Sequence, residues 1–194
     1  MAWQTIAAAD IDPGSPGSAS LFDKLANNPK TAHNDFQAVP IKTASQSLNT
    51  STTLTNITGL TWTQTEENEA WRFSIHIPWE HNGGGIRFGI QVSNASQIIF
   101  NGLCHGRGPA ENYLHPNEAY SASTSQLTLT YPSTLSSAAA TTWQAILKGI
   151  VINPIASTIV TLQFAQDTSN GGNTTICPSA SACFVDASRY DNVV

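Results

Sequence analysis

The sequence is short of charge. Only 11% of its 194 residues are Asp, Glu, Lys or Arg, where a soluble domain usually carries about a quarter. Eight basic residues against thirteen acidic ones leave a net charge of −5, with no run of Lys or Arg. A nucleic-acid groove works by clustered cations that release counterions, so this composition argues against one. Long apolar runs are missing as well. Nothing approaches the roughly eighteen consecutive apolar residues of a membrane-spanning helix, so no membrane partner is expected. The start, Met1-Ala2-Trp3, lacks a basic segment, a long apolar core and a cleavage site. It reads as the beginning of a mature chain made in the cytoplasm. Cysteine is scarce: Cys104, Cys177 and Cys183 cannot all pair within one chain. Cys177 and Cys183 are spaced to bridge a short loop, but a reducing cytosol makes three free thiols the expectation.

What is present is alternation. Trp71, Phe73, Ile75 and Ile77 fall on one side of a segment whose other side is Arg72, Ser74 and His76. Period two is the pattern of a half-buried antiparallel strand. It recurs at Ile86, Phe88, Ile90 and Val92, at Leu127, Leu129 and Tyr131, at Trp143, Ala145 and Leu147, and at Val160, Leu162 and Phe164. A first strand is expected near 54–62, short ones at 97–100 and 182–187, and a bulge at Lys148-Gly149. His81-Asn82-Gly83-Gly84-Gly85 is a turn. The stretch Gly102 to Ala122 reads as a long irregular loop, and Glu66-Glu67-Asn68-Glu69 as a solvated turn. The fold class is all-β: an antiparallel jelly-roll β-sandwich of eight or nine strands over residues 52–194.

Residues 1–51 read differently. Asp12-Pro13-Gly14-Ser15-Pro16-Gly17 keeps the chain turned or extended. One short helix follows near 18–28, capped by Ser18 or Ser20 and stopped at Asn28-Pro29. Two turns are too few to stand alone in water. Trp3, Ile6, Leu21, Phe22 and Leu25 have no core of their own, so they are expected to bury against another protein as a docking arm.

No constellation for catalysis emerges. Cys104 and His105 are adjacent, and side chains of neighbouring residues in an extended chain point opposite ways. With His115 and Glu118 they do not make a metal-binding spacing either, so no metal, cofactor or catalytic residue is expected. The acidic residues are scattered, and there is no phosphate loop, nucleophile elbow or dinucleotide fingerprint. Long loops between strands are usually contact surfaces, which marks His105, Arg107, Glu111, Tyr113 and His115 as a candidate contact loop. Trp62, Trp71, Trp79 and Trp143 lie in alternating segments and are expected in the core or a subunit interface. His76, on a polar strand face, reads as an exposed or interface histidine.

Two passages carry a resemblance. Trp3-Gln4-Thr5-Ile6, the Gly/Pro turn and the helix Leu21-Phe22-Asp23-Lys24-Leu25-Ala26-Asn27-Asn28-Pro29 resemble the start of tailed-bacteriophage virion proteins. Gly149-Ile150-Val151-Ile152, the run Ser157–Ser169 and Thr174-Thr175-Ile176 resemble the closing strands of a C1q/TNF-like trimeric jelly roll of phage head-fibre, decoration and tail proteins. The chain departs from that pattern where Cys177-Pro178-Ser179-Ala180-Ser181-Ala182-Cys183 stands in place of a glycine turn. The resemblance implies a non-enzymatic homotrimer on a virion, anchored to capsid or tail proteins by the arm. With no heptad shaft and no repeats, the small chain suits capsid decoration better than a long fibre. One rival is a tail or receptor-binding tip that holds a host surface glycan, favoured if Trp79, Tyr113 or Tyr120 is exposed. Another is a hydrolase using Glu111 or Glu118. The fold alone does not choose among them.

Overall fold

The structure is a computed structural model that describes residues 22, 25, 37–38, 41–107, 112–131 and 143–190. The chain forms two compact units, Met1–Ala38 and Val39–Val194. In the first, Phe22 and Leu25 are helical, and β1 is Gln37–Ala38. Trp3, Ile6 and Leu21 lie outside the described residues.

The described residues of the second unit are mainly antiparallel β-structure. Its strands are β2 (Ile41–Lys42), β3 (Gln46–Asn49), β4 (Thr55–Gln64), β5 (Ala70–His81) and β6 (Ile86–Arg107), then β7 (Asn112–Tyr131), β8 (Trp143–Ile152), β9 (Thr158–Ala165), β10 (Asn173–Ile176) and β11 (Cys183–Tyr190). They make a nearly closed sheet of the β-sandwich or jelly-roll class. The alternation read from the sequence carries the core. Phe73, Ile75, Ile77, Phe88, Ile90, Leu129, Leu147, Val160, Leu162 and Phe164 are all buried, and so are Trp62, Trp71, Trp79 and Trp143.

The sandwich is organised by the ribbon of β6 and β7. β7 follows one edge of β6 along nearly its whole length, from Ile86↔Tyr131 to Arg107↔Asn112. The other edge of β6 changes partner. Arg87–Val92 pair with β9, and Gln97–Gly106 pair with β8. Between them the β6–β7 register shifts twice, at Gln91/Ser96 and Ser96/Ile98. A strand that bends through a bulge and passes from one layer to the other is how sandwich corners are made. One layer is β7–β6–β9–β4. The other is β7–β6–β8–β5, continued by β11 and β10 on the far edge of β5.

On that far edge β10 pairs Trp79–His81, and β11 takes over from Ala70 to His76. Pro78 sits at the hand-over, where a missing N–H costs no ladder bond, while its carbonyl accepts from Cys177 N–H at 2.8 Å. The excursion between β10 and β11 holds a 3-10 turn, Pro178–Ala180. It is closed by a Cys177–Cys183 disulfide with Cα atoms 5.8 Å apart. The expectation of three free thiols is therefore corrected; Cys104 alone is free.

Other sequence expectations change too. Gly102–Ala122 is not an irregular loop: Gly102–Arg107 and Asn112–Ala122 are strand, paired with each other. Among the described residues β7 bonds to β6 alone and so is an edge, where Pro116 is tolerated. No bulge occurs at Lys148-Gly149, since the β5–β8 register runs unbroken through Ser74↔Lys148 and Phe73↔Gly149. Gly149 is required for packing: a Cβ there would meet the Ile99 carbonyl oxygen and come within 2.5 Å of the Phe73 ring. Glu69 is not solvated but buried. It pairs with Arg189 at 2.8 Å and accepts from the Trp71 indole at 3.0 Å. Residues 41–49, placed in the arm by sequence, contribute β2 and β3, which pair with β11 and β10.

Candidate functional site

The register of five strands sets side chains in rows on the outer face of the β11–β5–β8–β6–β7 layer. The middle row is Asp186, Ser74, Lys148, Asn101 and Glu118. Beside it runs Ser188, Arg72, Ile150, Ile99 and Tyr120. On its other side run Phe184, His76, Ile146 and Leu103, lengthened at the edge by Ile41. The intervening residues of each strand, such as Val185, Phe73, Leu147 and Phe100, fill the core, which forces these outward.

A solvated sheet face is normally polar. This one is not uniformly so: Ile41, Ile99, Tyr120 and Phe184 are all exposed, Tyr120 to 61%. Phe184 stacks on His76 with ring centroids 4.5 Å apart. The Tyr120 hydroxyl accepts from Gln97 Nε2 at 3.3 Å, which ties down the ring's polar end. The face is also hollowed. One depression of about 650 Å³ lies over Asn101, Leu103, Glu118, Ile146 and Lys148. A second, of about 410 Å³, lies over Arg72, Ser74, Ile99, Ile150 and Asp186. Asn101 and Lys148 line both, so the two adjoin. Around the depressions the face carries two cations, Arg72 and Lys148, and two carboxylates, Asp186 and Glu118; Glu80, further along β5 on the same face, adds a third carboxylate.

The opposite outer face is of another kind. Gln163 Nε2 donates to Asn56 Oδ1 at 2.7 Å and to Gln91 Oε1 at 2.9 Å, and Gln126 Nε2 donates to Gln163 Oε1. These amides satisfy one another, and Thr61 and Thr161 continue the polar surface. This is a solvated face with its polar groups already spent on each other.

Inside the sandwich an aromatic group surrounds two titratable side chains. Trp79 stacks on Trp143 at 5.5 Å and on His81 at 5.2 Å. His81 Nδ1 accepts from Gly83 and Gly85 N–H at 3.2 and 3.3 Å, and burial lowers the imidazole's pKa. Burial pushes the Cys104 thiol up to about 12, against the weaker pull of Trp79 and Tyr131. At neutral pH that sulfur is a protonated, inert thiol. Among the described residues no three His, Cys, Asp or Glu side chains gather to hold a metal ion.

The contact residues chosen from sequence fall as follows. His105 is on β6, half-buried, opposite Gln144 and Leu114. Cys104, its neighbour, points into the core, so the two side chains do part. His115 is in register with Cys104 and Tyr113 with Gly106; Arg107 pairs with Asn112. Glu111 lies outside the described residues. Trp79 is buried, whereas Tyr120 stands in the open. Sequence reasoning put Arg72 and Ser74 on an outward face but could not align Asp186, Lys148, Asn101 and Glu118 with them. The alternation on each strand marks the outward positions, but only the pairing register makes them one surface. No protein-family model and no curated protein matches the sequence.

Proposed function

We propose that the chain is a structural subunit of a tailed-bacteriophage particle, a homotrimeric capsid decoration or head-fibre protein anchored by its N-terminal arm. The observation that carries this reading is the helical pair Phe22 and Leu25, exposed to 63% and 51%. Three residues apart on a helix, they share a face. Full burial of one such side chain stabilises by about 1.5–3 kcal/mol, so a protein partner that covers both is favoured. A rigid, nearly closed sheet joined to an apolar arm suits a part that is held in place and projects outward.

The test uses full-length protein and the double variant Phe22→Ser, Leu25→Ser. Each is sized by light scattering and then sedimented with purified capsids, or with tails, of the parent phage that lack the chain. The expected result is three chains per particle for both proteins, with only the unaltered protein travelling with capsids. A monomer removes the trimer. Equal co-sedimentation of both removes the arm as anchor. Travel with tails alone moves the protein from head to tail.

A further inference from the structure

We propose that the outer face of the β11–β5–β8–β6–β7 layer is a binding site for a neutral oligosaccharide, which lies along the row from Asp186 to Glu118 with Tyr120 as its stacking platform. The proposal does not rest on the virion reading and stands on separate residues.

The chemistry of the row selects the ligand class. Sugar hydroxyls both donate and accept, so a saccharide site needs both kinds of partner. Lys148 offers only donors, Glu118 only acceptors, and Asn101 and Ser74 offer both. A lipid or an apolar peptide would bury this polar row without satisfying it. A nucleic acid or another polyanion would meet more carboxylates than cations, since Glu80 joins Asp186 and Glu118 on this face. Neither Lys148 nor Glu118 has an ion-pair partner among the described residues, and both line the larger depression.

The shape agrees. Five strands spaced about 4.8 Å apart make a row of roughly 19 Å, long enough for several linked sugar rings. The two adjoining depressions, about 650 and 410 Å³, fall in the size range of ligand sites. Tyr120 is the more exposed of two aromatics on this face, the other being Phe184, and an aromatic ring is the usual apolar partner for a C–H-rich ring face. Its Gln97 hydrogen bond and the rigid strands beneath fix the platform before any ligand arrives. Asn117 is held the same way: its amide donates to the Thr130 carbonyl at 2.7 Å, and its side-chain oxygen accepts from Glu118 N–H at 2.8 Å. The opposite layer has no such readiness, since its amides already bond to each other.

The experiment applies full-length protein to an array of neutral glucans, galactans, mannans and chitin oligomers, with uronate-containing and sialylated oligosaccharides alongside. The best neutral binder is then titrated by calorimetry against Tyr120→Ala, Asn101→Ala and, as a control on the other layer, Thr63→Ala. All three changes are at the surface, and native mass is measured for each. The expected result is retention of a neutral oligosaccharide, a Kd raised tenfold or more by Tyr120→Ala and by Asn101→Ala, and no change with Thr63→Ala. Retention of no neutral sugar overturns the proposal. So does retention of acidic sugars alone, or binding indifferent to Tyr120→Ala. A fall in native mass with Tyr120→Ala overturns it too, because the face is then an interface between copies. Failure to join a phage particle leaves these readouts untouched, so the two readings fail separately.

Discussion

His81 closes β5 and holds the turn that follows. Its Nδ1 accepts from two backbone N–H groups, of Gly83 and Gly85, while its ring lies on Trp79. Protonation of that nitrogen would break both bonds and place a charge among aromatic rings. Burial, which penalises the charged ring, holds the pKa below the ordinary imidazole value of 6.5. Between that lowered value and 6.5 the unfolded chain binds more protons than the folded one, so stability rises with pH across this window. The contribution is complete above pH 6.5 and is lost as pH falls below it. Urea midpoints measured from pH 5 to 8 are expected to drop toward acid. His81→Gln keeps an acceptor without a titration, so its profile should be flatter over the same range; parallel profiles would remove the assignment. The turn was legible in the sequence from Gly83-Gly84-Gly85, but the role of His81 was not. Nothing along the chain says that Trp143, sixty residues on, stacks with Trp79 beside it.

Among the elements, the strands that alternate were readable because each buries one face and period two is then enforced. The second half of the β6–β7 ribbon was not. Gly102, Gly106, Gly108, Pro109 and Pro116 are loop signals, yet most of that segment is strand. The space left by Gly102 is filled by Leu147, its partner on β8, and by Tyr131 and Leu129 of β7, all within 3.0 Å of where a Cβ would stand. Glycine there is a packing requirement between distant strands, and local propensity does not record it. Gly149 is the sharper case. It lies in register with both Phe73 and Phe100, whose rings approach to 6.0 Å. Gly149→Ala is expected to cost about 3 kcal/mol in chemical denaturation, the upper end of ordinary overpacking, because the obstacle includes backbone. A loss below about 0.5 kcal/mol, the scale of an unremarkable surface change, would mean that β8 can shift and that the close approach is not obligatory. The candidate binding face belongs to this scale too. Its residues were visible one strand at a time, and registers that join Asp186 to Ser74 and Lys148 to Asn101 assemble them.

For the molecule as a whole, the two sulfur environments make a joint prediction. Cys104 is fully buried with its thiol raised to about 12, and Cys177 and Cys183 are bonded. Titration of native protein with a thiol reagent should give no fast reaction, one thiol after denaturation, and three after denaturation with reductant. The bridge closes a short loop, with a sequence separation of 6. Chain-entropy reasoning puts its contribution at about 2 kcal/mol, to be read as a lower urea midpoint in reductant. Detection of three thiols before reduction would restore the expectation from sequence. The same edge of the sheet has a bearing on when the protein can fold. β5, begun at Ala70, is flanked on one side by β8 and on the other by β10 and β11, which end at Tyr190. During synthesis the β6–β7 ribbon, whose partners lie close in sequence, is expected to pair before β5 gains its far-edge partners. The central strand must wait, with one edge open, for more than a hundred further residues. Long-range pairing of this kind is slow and exposes unpaired edges. Until β11 is free to pair, the far edge of β5 in a nascent chain would stay open to proteases.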